Sequence, residues 1–146
     1  RGVGCRCDLC DGRIRTGGLI GHLITNVPGS SIYYLGSITA YSNEVKVRLL
    51  KVSWETLARY GAVSEETALE MALGVRNEMA ADIGISVTGI AGPGGATSDK
   101  PVGTTWIGLS AVNYDQSRHY LFQGDRLAIK EKAAKAALQL VVDFLS

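Results

Sequence analysis

The stretch "DIGISVTGIAGPGGATSDKPVGTTWIGLSAV" (residues 82–112) decides the fold. Ile83, Ile85 and Val87 alternate with small residues, the period-two pattern of a strand. The pattern runs without a break into Gly89, Gly92, Pro93, Gly94 and Gly95. Glycine admits positive φ and lets a ligand approach the backbone, and in α/β folds ligands bind where strands end. Successive N–H groups of such a turn can form an anion-binding nest; a purely structural turn between strands is the plain alternative. The loop fits neither G-x-x-x-x-G-K-[ST] nor G-x-G-x-x-G, which disfavours a nucleoside triphosphatase or a dinucleotide oxidoreductase. Beyond it, "VGTTWIGLSAV" (102–112) and "RHYLFQ" (118–123) read as two further strands.

Working outward, helices flank these strands. Ser64 is placed to cap an amphipathic helix with the stripe Ala68, Met71, Ala72, Val75 and Met79, and Ser53 to cap a shorter one. "GSITAY" (36–41) reads as a strand, after which Ser42 caps "NEVKVRLL" with Val45, Leu49 and Val52 on one side. Leu19, Ile20, Leu23, Ile24 and Val27 predict a helix from Thr16 to Val27, ended by Pro28-Gly29. Asp125 caps a final helix with the stripe Leu127, Ala134, Leu138, Val141 and Leu145. Interleaved helices and strands without a linker or repeat predict one α/β domain.

The bulk properties narrow the function. Over 146 residues the net charge is +1, with 46% hydrophobic and 20% charged residues, so no nucleic-acid partner is expected. Apolar runs are too short to span a bilayer, and no signal-peptide core precedes the domain. A cytoplasmic protein without a membrane partner is therefore expected. Cys5, Cys7 and Cys10 form C-x-C-x-x-C, but zinc needs about four ligands and the nearest histidine is His22. No metal is expected there.

Two further clusters carry chemistry. In "TAYSNEVK" a strand end and a helix start bring Tyr41, Asn43 and Lys46 towards one site. A lysine on a helix is ordinarily solvated; if this one is buried, its pKa falls and it can act as a general base. In "QGDR", Arg126 stands in the first turn of a helix, where a cation opposes the dipole. Such a guanidinium can grip phosphate or carboxylate, and a plain surface arginine is the alternative.

The segments "YSNEVK", "GAVSEETALEMA", "VTGIAGPGG", "KPVGTTWIGL" and "GDR" together resemble the CinA C-terminal domain family. Its characterised members are nicotinamide mononucleotide amidohydrolases, and the similarity covers residues 16–146. The resemblance implies a three-layer α/β/α sandwich around a mixed or mostly parallel sheet over residues 16–146. It also implies hydrolysis of nicotinamide mononucleotide to nicotinate mononucleotide and ammonia, without metal or nucleotide cofactor, by a Ser/Lys mechanism. It makes Lys46 the base, with Tyr41 assisting proton transfer or holding the lysine. Thr88 and Gly89 would stabilise the oxyanion or orient the amide. Thr16, Gly17, Asn43, Gly89, Gly92 and Arg126 would contact the substrate. A homo-oligomer is expected, as is common for small enzymes, and the chain resembles either a standalone form or a piece of a longer, two-domain family member.

One departure stands out. The family's nucleophilic serine lies in A-E-S-C-T-G-G, and aligning its end with Thr16-Gly17-Gly18 sets Ile14 at the serine. Gly12-Arg13-Ile14 written GGC-AGA-ATC-C and read one base later becomes GCA-GAA-TCC, Ala-Glu-Ser. Residues 1–15 are accordingly expected to be an aberrant, out-of-frame segment forming no strand. A true pseudoenzyme and a natural frameshift are the alternatives.

Overall fold

Four local signals set the helices. The Ser42 Oγ accepts the Val45 N–H at 3.2 Å, Ser53 that of Thr56 at 2.9 Å, Ser64 that of Thr67 at 3.2 Å, and Asp125 that of Ala128 at 2.8 Å. Each satisfies an N–H that the helix itself leaves unpaired. The helices so opened are α2 (Asn43–Leu50), α3 (Trp54–Tyr60), α4 (Glu65–Glu78) and α5 (Arg126–Leu145). The computed structural model describes residues 7–11 and 16–146, with side chains from Thr16 onward.

The strands are β1 (Cys7–Asp11), β2 (Tyr34–Thr39), β3 (Ile83–Gly89), β4 (Thr104–Ala111) and β5 (Tyr114–Leu121), in sheet order β2-β1-β3-β4-β5. β2, β1 and β3 are parallel, while β4 and β5 continue antiparallel. The sheet is therefore mixed. α4, with α2 and α3 packed on it, covers one face; α5 and α1 (Leu19–Thr25) cover the other.

The two faces of β3 explain the layering. Ile83, Ile85 and Val87 join Ile107 and Leu109 against Ile129, Ala133, Ala137 and Leu140 of α5. On the opposite face small residues let α4 lie close. The Ser86 hydroxyl donates to the Ala68 carbonyl at 2.5 Å. A methyl built on Gly84 would collide with the Ala72 carbonyl oxygen, and one on Gly108 would sit 2.5 Å from that of Ala68. Here glycine is required by close backbone approach rather than by φ.

Several expectations are corrected. Residues 7–11 form a strand after all: β1 occupies the slot between β2 and β3. Strand pairing uses backbone N–H and C=O groups, which every non-proline sequence supplies. Residues 1–6 and 12–15, Ile14 included, lie outside the described residues, as do the side chains on which metal binding at Cys5, Cys7 and Cys10 depends. The first helix begins at Leu19, not Thr16, because Gly17 and Gly18 hold φ of 63° and 83°. The buried side of α2 is Lys46 and Leu50, whereas Leu49 is exposed. α5 buries Ile129, Ala133, Ala137 and Leu140, spaced four, four and three apart, and leaves Leu127 and Leu145 exposed. The last strand starts at Tyr114 rather than Arg118. Ala111 pairs with Tyr114 across the two-residue turn Val112-Asn113, and Asn113 takes a positive φ of 55°, a conformation asparagine adopts more readily than most residues with a side chain.

Candidate active site

Because β2, β1 and β3 are parallel, their C-terminal ends share one edge of the sheet. Thr39, Asp11 and Val87 stand side by side there, each the partner of Asp11 or Asp11 itself. β2 continues into Tyr41 and α2, and β3 into the glycine loop. A cleft of about 750 Å³ opens between them. Its walls are Tyr41, Ser42, Asn43 and Glu44 on one side and Gly89 to Gly95 on the other, with Trp54 and Arg126 completing it.

The glycine loop is a fixed wall. Ile90 donates to the Thr104 carbonyl at 2.9 Å and accepts from the Gly103 N–H at 2.7 Å, which closes the base of the loop. Gly92 holds φ of 80°. Its carbonyl accepts from the Arg126 guanidinium at 2.5 Å, so the first residue of α5 braces the loop from across the cleft mouth. Lys100, farther round the loop, donates from Nζ to the Tyr60 carbonyl at 2.6 Å, tying the loop to the end of α3.

Of the sequence-predicted residues, Tyr41, Asn43, Gly89, Gly92 and Arg126 line the cleft. Lys46 lies behind this lining. It is wholly buried, and its Nζ donates to the Tyr41 backbone carbonyl at 3.2 Å. Thr88 is also wholly buried, but its hydroxyl donates to the Ala62 carbonyl at 2.6 Å, on the α4 side of the sheet. That hydroxyl is committed to joining β3 to the chain before α4. Thr16 is buried with its carbonyl accepting from Leu19 N–H at 2.9 Å, and neither it nor Gly17 is among the lining residues.

Two lining side chains escape the sequence reading: Glu44 and Trp54. Trp54 carried a signal, since it follows the Ser53 cap directly and a tryptophan opening a short helix is unusual enough to ask what it faces. Chemically the lining offers a cation at Arg126, a carboxylate at Glu44, two aromatic rings, and a glycine-rich backbone. Among the described residues the lining holds a single carboxylate and no imidazole or thiol, a poor donor set for a metal.

Comparison with known proteins places this geometry. Residues 15–145 match the family model of the CinA C-terminal domain. A relative from Caldicellulosiruptor saccharolyticus, provisionally named a competence-damage inducible protein, is 55% identical over 126 residues, covering 86% of this chain and 31% of that one. A CinA-like protein from Salinibacter ruber is 50% identical over 124 residues, covering 85% of this chain and 30% of that one. The chain thus spans under a third of the length of these relatives. The crystal structure of competence/damage inducible protein CihA from Agrobacterium tumefaciens matches with a TM-score of 0.94 at 33% identity, over 99% of this chain and 87% of that one. With its residues fitting the family model almost end to end and its fold matching a solved relative, the chain belongs to the CinA C-terminal domain family.

Proposed function

We propose that the cleft is an amidohydrolase site for nicotinamide mononucleotide, releasing ammonia and leaving nicotinate mononucleotide. The observation that carries this reading is Lys46: a lysine with no exposed surface, its Nζ against the strand end from which Tyr41 enters the cleft. In its neutral form such an amine can take a proton from an attacking hydroxyl. In the reaction the hydroxyl oxygen adds to the carboxamide carbon, the C–N bond breaks with a proton delivered to nitrogen, and water then frees the acid. Backbone N–H groups around Gly89 supply donors for the developing oxyanion, and Arg126 supplies a charge partner for the phosphate.

The serine hydroxyl is missing at the position where the family resemblance expects it, which Ile14 occupies. A non-catalytic nucleotide-binding homologue is the second reading, and Ile14 is the observation that favours it. The experiment is ammonia release from nicotinamide mononucleotide by two purified proteins. One is the chain as written; the other carries Gly12→Ala, Arg13→Glu, Ile14→Ser and Arg15→Cys, with β1 left as it stands. Turnover by the second alone supports the amidase reading. Equal turnover by both would place the nucleophile elsewhere, and turnover by neither favours the binding homologue. In the restored protein Lys46→Ala is expected to cut the rate by about 10²–10⁴-fold, the usual share of a general base.

A further inference from the structure

Trp54 is 55% exposed although the helix that carries it is fastened at both ends. At the start of α3 one carboxylate does the fastening. Glu70 of α4 accepts the Ser53 N–H at 2.9 Å through Oε1 and the Thr56 hydroxyl at 2.5 Å through Oε2. The Ser53 and Thr56 hydroxyls are themselves 2.9 Å apart. At its far end the helix receives the Lys100 ammonium on the Tyr60 carbonyl. Seven residues alone would make a marginal helix; these ties to α4 and the glycine loop hold it. The result is a large apolar ring on a rigid mount, lining the same cleft as Arg126.

Such an arrangement has little use for stability, because an exposed indole forgoes much of its burial free energy. It has a clear use in recognition. A preorganised aromatic face binds a planar ring without first losing its own conformational freedom. Arg126 has five N–H donors, of which one is placed on Gly92. A ring at Trp54 and an anion at Arg126 are the two ends of a nucleoside monophosphate.

We infer that Trp54 is the specificity-determining platform of this cleft, stacking the planar heterocycle of a nucleoside monophosphate, and that Glu70 is its positioning residue. This inference rests on the nucleotide reading above and narrows it, since it names the part of the ligand that the protein distinguishes.

Binding to the full chain tests it without requiring turnover. The chain has two tryptophans, so Trp106→Phe leaves Trp54 as the only indole reporter. Three ligands are titrated: nicotinamide mononucleotide, adenosine monophosphate, and ribose 5-phosphate, which has the sugar and phosphate but no ring. Saturable quenching by a ring-bearing ligand, absent with ribose 5-phosphate, is expected. In the background with Trp106 intact, Trp54→Ala should weaken the ring-bearing ligand by about tenfold, measured calorimetrically, as for loss of one base–aromatic stack. Ribose 5-phosphate affinity should not change, and Trp54→Phe should restore most of the loss. Glu70→Gln should reproduce part of the ring-selective loss. Equal weakening of all three ligands, or no weakening, would overturn the assignment, as would ring-bearing ligands binding no better than ribose 5-phosphate. Ring-selective loss seen only with adenosine monophosphate would keep the platform and sink the nicotinamide reading instead. Ring-selective nicotinamide mononucleotide binding without ammonia release from the serine-restored protein would likewise keep the platform and sink the amidase reading.

Discussion

Arg126 shows how one side chain can carry two roles that a simple truncation confuses. Its guanidinium braces the Gly92 carbonyl and also stands at the cleft wall. If it grips phosphate, Arg126→Ala should weaken nicotinamide mononucleotide at least about tenfold more than nicotinamide riboside, which lacks the phosphate; charged hydrogen bonds are worth enough for that. Equal losses, measured by calorimetric titration, would leave only the bracing role. At the same scale Gly84 and Gly108 are set by contact alone. Either one changed to alanine should destabilise the protein by about 1–3 kcal/mol, the range for forcing atoms into a packed interior, as read from denaturant unfolding. A neutral result at both would mean that α4 can lift from the sheet at little cost. Lys46 was legible as a candidate because a strand end and a capped helix start are local patterns. Its burial was not, since that depends on how α2 packs against parts of the chain distant in sequence.

Helices and strands were legible in proportion to how local their determinants are. Ser42, Ser53, Ser64 and Asp125 each act on an N–H three residues away, and all four caps are visible in the linear sequence. β1 was not, because its place is dictated by partners far along the chain. α5 falls between these cases: Asp125 marks its start, yet its many alanines hide which side is buried, and the large residues Leu127 and Leu145 point away from the core. α5 is also tied to the edge strand by a titratable contact. The Gln139 amide and then the Arg118 guanidinium donate to the Asp143 carboxylate, at 2.7 and 2.9 Å, and hold its pKa below the ordinary value. A carboxylate whose folded pKa is depressed contributes stability above its unfolded pKa of about 3.9 and loses it as pH falls through the folded value. Asp143→Asn should therefore lower the unfolding midpoint slightly at pH 6, and the difference should vanish in strong acid. The effect should also shrink with added salt, because the contact is solvent-exposed. A difference that persists unchanged at pH 2 would show that the carboxylate charge plays no part.

Across the whole molecule, the mixed sheet joins two kinds of pairing. β3, β4 and β5 follow one another as antiparallel neighbours, with Ile83 opposite Ala111 and Ala111 opposite Tyr114. β1 instead pairs Cys7 with Ile83 and Cys7 with Tyr34, so that half of the sheet closes only when distant parts of the chain meet. Pairings of long sequence span are slow to form, and proteins open in sub-global units that often follow supersecondary motifs. The cleft straddles this seam: the glycine loop grows from the meander, whereas Tyr41 and Lys46 belong to the half that docks onto it. Amide protons of β1 and β2 should exchange with deuterium through partial openings that leave β3 and β4 protected. Each such opening would loosen the Tyr41 wall of the cleft, which follows directly on β2, while most of the fold persists. On this account, warming the protein would dismantle the Tyr41 wall of the cleft some degrees before circular dichroism registered unfolding.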